Sequence, residues 1–246
     1  MQLSMQLSMQ LSMQLRRWLQ RGSDLVKRGM PGYCAFCLAP AAEGRGWCAC
    51  CVEELPWNLH ACHQCGEPVA NEQPVCGRCL VDPPAFTATQ AGLLYQNSIK
   101  ALIHDFKFNA SPRAGMLLCE LMLLTPPSLT GQAFVPVPMH STNARKRGFN
   151  QSYWLAEQLG RALGMPLINA KRIKASRTQR TLNRRERAAN LTGAFTFEVP
   201  TPEHIVIIDD VVTTGSTGHA LARAGLAAGA KRVDIWAVAR TPLGKG

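Results

Sequence analysis

Cysteine spacing constrains the first third of this chain more strongly than any other feature constrains the rest. Eight cysteines form two Cys-x2-Cys pairs separated by ten residues, and the whole pattern repeats after a shift of 28 residues. The first set begins at Cys34 and the second at Cys62. Two units with the same spacing indicate an internal duplication, in which each unit brings four sulfur atoms together.

Four thiolates at this spacing are typical ligands of a tetrahedral zinc ion, because a two-residue knuckle points both sulfurs of a pair at one metal. Segments this short bury little apolar surface, so bound metal would supply their folding free energy. We predict two structural zinc sites without a catalytic role, since a closed four-sulfur site leaves no open coordination position. Disulfide bonds or an iron–sulfur cluster are the alternatives. The predicted ligands are Cys34, Cys37, Cys48, Cys51, Cys62, Cys65, Cys76 and Cys79.

Three further residues lie beside these ligands without taking part in the repeat. The residue 28 positions after Cys50 is Arg78, so we interpret Cys50 as a spare thiol. His60 and His63 have no equivalents in the first unit, and we expect them on the surface. Zinc ribbons often bind nucleic acid or protein, and the cysteine pattern does not choose between these partners.

The first 15 residues repeat the sequence Met-Gln-Leu-Ser, and we interpret residues 1–29 as a low-complexity tail. Gln and Ser interrupt every apolar run there, unlike the apolar core of a secretory signal. Clustered cysteines without such a signal are typical of metal binding in a reducing compartment, so we expect a cytoplasmic protein. We expect no membrane span, since no stretch approaches the roughly 20 apolar residues that a membrane helix needs.

Beyond Pro83 and Pro84 the pattern changes to alternating strands and helices. Apolar runs predict strands at 88–95, 134–138, 205–208 and 233–238, and helical patterns occur at 99–108, 114–124, 150–163 and 217–228. This alternation predicts an α/β fold with a parallel sheet flanked by helices. The predicted domains are the tail at 1–29, a double zinc ribbon at 30–84 and an α/β domain at 85–246.

Residues 205–217 join a buried strand to the next helix, which is where parallel sheets bind ligands. The acids that follow the apolar run can accept hydrogen bonds from sugar hydroxyls. The small residues after them form a loop at a helix N-terminus, where backbone N–H groups and the helix dipole favour a phosphate dianion. An ordinary strand–turn–helix rarely combines adjacent acids with five consecutive hydroxyl or glycine residues. The predicted ribose-5-phosphate site comprises Asp209, Asp210, Thr213, Thr214, Gly215, Ser216 and Thr217.

Positive charge is concentrated in one stretch of the chain. Residues 145–187 contain 12 Lys or Arg and two acids, a balance of 12 − 2 = +10 against a net charge of +11 for the whole chain. A solvated face is the simplest interpretation of a charge run, but such a one-sided concentration favours an anion-binding surface.

The strand–loop sequence resembles the phosphoribosyl pyrophosphate loop of type I phosphoribosyltransferases, with Ser216 where that family usually has a second glycine. From Cys34 to the C-terminus the chain more closely resembles the ComF/GntX group. This resemblance rests on the double cysteine ribbon and on two stretches, Val135-Pro136-Val137-Pro138-Met139-His140 and Arg145-Lys146-Arg147-Gly148-Phe149-Asn150-Gln151-Ser152. Further matches are Ser176, Gln179, Leu182, Arg187, Asn190, Gly193 and Phe195.

The resemblance implies a phosphoribosyltransferase-like domain in a protein of competence, DNA uptake or the use of external DNA. In an enzyme, Mg²⁺ would accompany phosphoribosyl pyrophosphate, cations would stabilise the leaving pyrophosphate, and residues 177–187 resemble an active-site flap in position. No general base is evident, although His140 is a candidate. The predicted pyrophosphate- or nucleic-acid-binding residues are Arg145, Lys146, Arg147, Arg177, Arg184, Arg185 and Arg187.

Two other roles stay open at this point. As a binding module, the same arginines would track single-stranded DNA, with Phe149 and Trp154 as stacking candidates that are more typical of a core. As an adaptor, the chain would be recruited by proteins of a DNA-uptake machine. An active phosphoribosyltransferase of nucleobase salvage without any DNA role is the alternative to both.

Overall fold

A computed structural model describes residues 32–41, 45–70, 74–127, 131–139, 148–173 and 193–243. The chain divides into two compact units between Leu55 and Pro56. The second ribbon therefore lies in the same unit as the α/β sheet. The domain boundary expected at residues 84 and 85 falls inside this second unit, because the second ribbon shares a core with the sheet.

A short helix begins directly after the first cysteine of the second pair in each ribbon and contains the other cysteine of that pair, and longer helices alternate with strands afterwards. Among the described residues, no helix is long and apolar enough to cross a membrane. In chain order the elements are α1 (Ala49–Glu53), α2 (Gly77–Val81), β1 (Ala88–Leu94), α3 (Asn97–Phe108), α4 (Pro112–Leu124), β2 (Ala133–Pro136), α5 (Gln151–Leu163), β3 (Ala170–Arg172), β4 (Phe195–Phe197), β5 (His204–Val212), α6 (Ser216–Ala227) and β6 (Arg232–Arg240).

Four of the strands form one sheet in the order β1-β6-β5-β2, and every neighbouring pair is parallel. Strand β5 lies next to β2 from Ile205 to Ile208, and next to β6 along its whole length. All four residues from Ile205 to Ile208 are buried, although successive side chains of a strand point to opposite faces. Both faces of the sheet are therefore covered, as parallel sheets require.

Helix α6 packs closely on one face of the sheet because glycines line the contact. A β-carbon added at Gly218 would lie 2.5 Å from Cδ1 of Ile235, and one added at Gly225 would lie 2.7 Å from Cδ1 of Ile205. This close packing fixes the N-terminus of α6 beside the carboxyl end of β5.

The second ribbon is joined to strand β1 by side-chain hydrogen bonds. Thr89 Oγ1 donates to the Gln64 carbonyl at 2.8 Å, and Asn58 Nδ2 donates to the carbonyls of Gly66 and Ala91 at 2.9 and 3.1 Å. Three cysteines of this ribbon also share an apolar core with β5, β6 and α6. The ribbon is therefore part of the α/β core.

The predicted parallel sheet with flanking helices, preceded by a small double zinc ribbon, is confirmed. The eight predicted strands and helices all form, with ends that differ by a few residues. Strand β5 extends to Val212, past its expected end at Ile208, because β6 continues to pair with it. The antiparallel pair β3–β4 was not predicted, since its strands are only three residues long and lie far apart in the chain.

Candidate functional site

Each set of four cysteines is arranged to bind one metal ion. The four Sγ atoms of each set lie within 4.8 Å of one another, and all ten cysteines are free of disulfide bonds. The Sγ atoms of Cys37 and Cys48 are 3.7 Å apart, as are those of Cys65 and Cys76. A tetrahedral zinc ion with Zn–S bonds of about 2.3 Å separates its sulfurs by about 3.8 Å. The predicted pair of four-cysteine zinc ribbons is therefore confirmed by geometry.

Two adjacent acids lie where strand β5 passes the end of its neighbour. Strand β2 ends at Pro136, and the last contact on that side is the 3.0 Å hydrogen bond from Val137 N to the Ile208 carbonyl. Asp209 and Asp210 follow directly and pair only with β6 among the described strands. Among the described residues, no strand pairs with Asp209 and Asp210 on the β2 side.

Asp209 is held by neighbours that fix its carboxylate. Ser152 Oγ donates to Asp209 Oδ1 at 3.0 Å, and the backbone N–H of Asp210 donates to the same oxygen at 2.9 Å. Loss of solvation raises the pKa of Asp209 to about 7, and the negative charge of Asp210 adds to this increase. Asp209 can therefore change its protonation state near neutral pH, which matters for any ligand that donates hydrogen bonds to it.

Asp210 is buried against a cation that lies far from it in the chain. Lys107 Nζ, in the last turn of α3, lies 2.7 Å from Asp210 Oδ2, and both side chains are largely buried. A buried carboxylate is tolerated when such a partner neutralises it. Lys107 thus places one positive charge beside the two acids, at the carboxyl edge of the sheet.

The loop between β5 and α6 forms a small anion-sized recess. Gly215 has φ of 77°, a left-handed conformation that glycine adopts without steric cost, and it precedes the first residue of α6. The N-cap residue Gly215 has no side chain to cap α6, and the Ser216 N–H donates to Thr214 Oγ1 at 3.4 Å. N–H groups in the first turn of a helix bind anions. Thr214 Oγ1 and Ser216 Oγ lie 3.0 Å apart and add hydroxyl groups. The recess of about 30 Å³ is lined by Asp209, Thr213, Gly215, Ser216, Thr217 and their neighbours.

The backbone at the start of this loop is held by Arg240, the last residue of β6. Arg240 is fully buried, and its Nη1 donates to the carbonyls of Val212 (3.0 Å) and Thr213. Its Nη2 contacts Glu67 Oε2 of the second ribbon at 2.6 Å. A larger cavity of about 410 Å³ lies here, between the second ribbon and the Thr214–Ser216 segment.

Several predicted site residues lie outside the described part of the chain. These are Arg145, Lys146, Arg147, Arg177, Arg184, Arg185 and Arg187, together with His140. Phe149 and Trp154 are described, and their rings pack edge-on against Phe106 with centroids 5.3 and 5.2 Å apart. This packing agrees with the interpretation of both aromatic residues as core residues.

The fold and the cysteine geometry together define a double zinc ribbon protein with an α/β domain. Residues 25–80 match the family model described as "Double zinc ribbon domain". The chain is 36% identical to the DNA utilization protein YhgH of Salmonella typhimurium (strain LT2) over 223 residues, which are 86% of this chain and 98% of that protein. This chain belongs to the ComF family.

Two other relatives are named as competence proteins. Competence protein F of Haemophilus influenzae is 30% identical over 208 residues, which are 79% of this chain and 90% of that protein. Competence protein ComFC of Bacillus subtilis is 29% identical over 178 residues, which are 67% of this chain and 70% of that protein. Among solved structures, the orotate phosphoribosyltransferase of Aeropyrum pernix is 16% identical with a TM-score of 0.34, over 52% of this chain and 61% of that chain.

Sequence reasoning missed four residues that contact the predicted site or hold it in place. Lys107 and Ser152 contact the acids, and Arg240 and Glu67 support the loop. Ser152 lies in the stretch 145–152 on which the family resemblance rests, but the sequence assigned no role to this residue. The other three lie 27 residues or more from their partners in the chain, so no local pattern connects them.

Proposed function

We propose that this protein binds ribose-5-phosphate groups, including phosphoribosyl pyrophosphate, through Asp209, Asp210 and residues 213–217. One arrangement supports this proposal, namely adjacent carboxylates followed five residues later by the N-cap of a helix whose start carries hydroxyl side chains. The phosphate would occupy the recess at the start of α6, and the acids would accept hydrogen bonds from the ribose hydroxyls. Mg²⁺, when bound with phosphoribosyl pyrophosphate, would neutralise the charge of the pyrophosphate.

We further propose that the protein binds this ligand while it acts on single-stranded DNA, in competence or in the use of external DNA. The names of the relatives support this role, and so does the excess of ten positive charges between residues 145 and 187. Basic side chains along a groove bind nucleic acid by neutralising phosphates and releasing counterions. We also propose that the protein is located in the cytoplasm and that it contacts proteins of a DNA-uptake machine.

Titration calorimetry with ribose 5-phosphate and phosphoribosyl pyrophosphate tests the first part. We expect Asp210→Asn and Thr214→Ala to weaken binding by roughly 1.5–3 kcal/mol for each charge-assisted hydrogen bond lost. Lys231→Ala is a matched control, because Lys231 forms an exposed ion pair with Glu203 at the opposite end of β5 and β6 from the loop. Wild-type affinity in both site variants would show that the loop is not the ligand site.

The pH dependence of the affinity gives an independent test of Asp209. The pKa of Asp209 is raised to about 7 by lost solvation and by Asp210, so its carboxylate form increases as pH rises through that value. We expect affinity for ribose 5-phosphate to rise over the same range, because the carboxylate accepts hydroxyl hydrogen bonds better than the acid does. The phosphate also ionises with a pKa of about 6. Asp209→Asn should keep the phosphate contribution and lose the Asp209 contribution.

Single-stranded DNA binding at several salt concentrations tests the second part. Removing Arg184 and Arg185 together should lower affinity and reduce the salt slope by about 1.4, since each neutralised phosphate of a single strand contributes about 0.7. Loop variants should affect DNA binding less than they affect the small ligand. If loop variants abolish DNA binding and the arginine variant changes nothing, separate surfaces for the two ligands are excluded.

An active phosphoribosyltransferase of nucleobase salvage is the second candidate function. The acids and the loop suit a phosphoribosyl donor equally well in this role, and Lys107 supplies a cation beside them. A pyrophosphate-release assay across a panel of nucleobases separates the two functions. Base-dependent release without any DNA binding would favour the salvage enzyme.

A further inference from the structure

Arg240 connects the phosphate loop to a different part of the second unit. Its side chain has no exposed surface, and Nη1 donates to the carbonyls of Val212, Thr213 and Thr241, with distances of 3.0 Å to Val212 and 2.8 Å to Thr241. Val212 and Thr213 directly precede the hydroxyl residues of the loop. Since a peptide unit is planar, holding its carbonyl also fixes the direction of the following N–H group. Arg240 therefore sets the orientation of the backbone that enters the phosphate recess.

Glu67 is the counterion that holds Arg240 in this position. Arg240 Nη2 donates to Glu67 Oε2 at 2.6 Å, and the backbone N–H of Leu243 donates to Glu67 Oε1 at 2.8 Å. Both carboxylate oxygens are thus used. A buried guanidinium that loses its carboxylate partner is strongly unfavourable, because its charge is left uncompensated away from water. Loss of Glu67 would therefore destabilise the buried position of Arg240.

Glu67 in turn belongs to the knuckle of the second ribbon. The backbone N–H of Cys62 donates to the Glu67 carbonyl at 2.8 Å, and the N–H of Gly66 donates to the Cys62 carbonyl at 2.8 Å. These bonds shape the turn that points Cys62 and Cys65 towards a common metal ion. The position equivalent to Glu67 in the first ribbon, 28 residues earlier, is Ala39. A carboxylate at this position is therefore a property of the second ribbon alone.

We propose that Glu67 and Arg240 are positioning residues for the phosphate loop, so that the second ribbon is a working part of the ribose-5-phosphate site. This inference rests on the proposed function of the loop. The chain of contacts runs from the cysteine knuckle through Glu67 and Arg240 to the carbonyls of Val212 and Thr213. No contact with the ligand is required of either side chain.

Glu67→Ala tests the inference, because it installs the residue that the first ribbon carries at the equivalent position. We expect affinity for ribose 5-phosphate to fall about ten- to a hundredfold, the typical effect of losing a residue that orients ligand-binding groups without touching the ligand. Glu67→Gln keeps an oxygen acceptor for Arg240 and should recover part of the affinity. Arg240→Lys keeps the charge without the planar set of donors and should resemble Glu67→Ala.

A readout without ligand separates loop positioning from a general loss of stability. Hydrogen exchange at the amides of residues 213–217 should be faster in Glu67→Ala, while exchange in the centre of β5 and β6 stays unchanged. Glu203→Ala is the matched control, because Glu203 forms a 2.6 Å ion pair with Lys231 on the exposed surface. This variant should keep both the affinity and the exchange pattern of the wild type.

The outcomes distinguish this inference from the proposed function. If the wild type binds no ribose 5-phosphate, the proposed function fails, and loop exchange still decides whether Glu67 and Arg240 hold the loop. If folded Glu67→Ala and Arg240→Lys proteins show wild-type affinity and wild-type loop exchange, the inference is wrong. Should Glu67→Ala fail to fold, Glu67→Gln decides by the same two measurements, and an unchanged affinity and exchange pattern would overturn the inference.

Discussion

The two zinc ribbons have the same knuckle geometry and different surroundings. In both, the N–H of the first cysteine donates at 2.8 Å to the carbonyl five residues later. In both, the residue after the second cysteine has a left-handed backbone, with φ of 63° at Leu38 and 69° at Gly66. The repeated cysteine spacing therefore produces the same local turn twice.

Leu38 and Gly66 differ in how closely neighbouring residues pack against them. Leu38 is 72% exposed, so a side chain there meets no neighbour that forbids it. A β-carbon at Gly66 would lie 3.0 Å from Cγ2 of Thr89 and 3.7 Å from Cδ of Arg240. Glycine is favoured in the second ribbon because the sheet packs against this position. The comparison teaches that metal geometry is local, whereas the residues allowed in a ribbon's turn depend on what the ribbon packs against.

The largest expected difference follows from removing one zinc ligand in each ribbon. Cys62→Ser should lose one metal ion and weaken ribose-5-phosphate binding, because a structural zinc supplies on the order of 10 kcal/mol of folding free energy and this ribbon supports the loop. Cys34→Ser should also lose one metal ion and keep the affinity. Mass spectrometry of bound zinc and calorimetry measure both effects. Equal loss of affinity in the two variants would contradict the difference between the ribbons.

A smaller difference is expected at the left-handed turn positions. Gly66→Ala should destabilise the second unit by about 1–2 kcal/mol, since a β-carbon is disfavoured at positive φ and meets Thr89 here. Leu38→Gly should change stability by less than about 1 kcal/mol, because relief of the backbone strain offsets the entropy of glycine. Chemical denaturation with zinc present measures both. A stabilising Gly66→Ala would mean that the sheet does not restrict this turn.

The smallest effect is expected from one hydrogen bond between the sheet and the second ribbon. Thr89→Val removes the 2.8 Å bond to the Gln64 carbonyl while preserving side-chain shape. We expect a loss of about 1 kcal/mol in the free energy of unfolding. Thr87→Val, at an exposed position of the same segment, should stay within about 0.5 kcal/mol of the wild type. Similar losses at the two positions would show that the bond contributes nothing specific.

Much of this protein was determined by short-range sequence patterns. The two four-cysteine sites follow from spacing, because each knuckle is built within about six residues. The parallel sheet follows from the alternation of apolar strands with helical segments, since few arrangements cover both faces of such strands. The position of the acids and the loop beside one another follows from their adjacency in the chain. The roles of the acids, the loop and the basic stretch remain predictions.

Only the tertiary structure decided which residues from distant segments surround this loop. Lys107 meets Asp210 across 103 positions of the chain, and Glu67 meets Arg240 across 173. Each residue alone has the pattern of an ordinary surface charge, and its partner is fixed by strand order and helix packing. Burial made these pairs necessary, because a charge away from water needs a nearby partner of opposite sign. Local spacing thus specified the metal sites, while long-range packing placed the second ribbon against the phosphate loop.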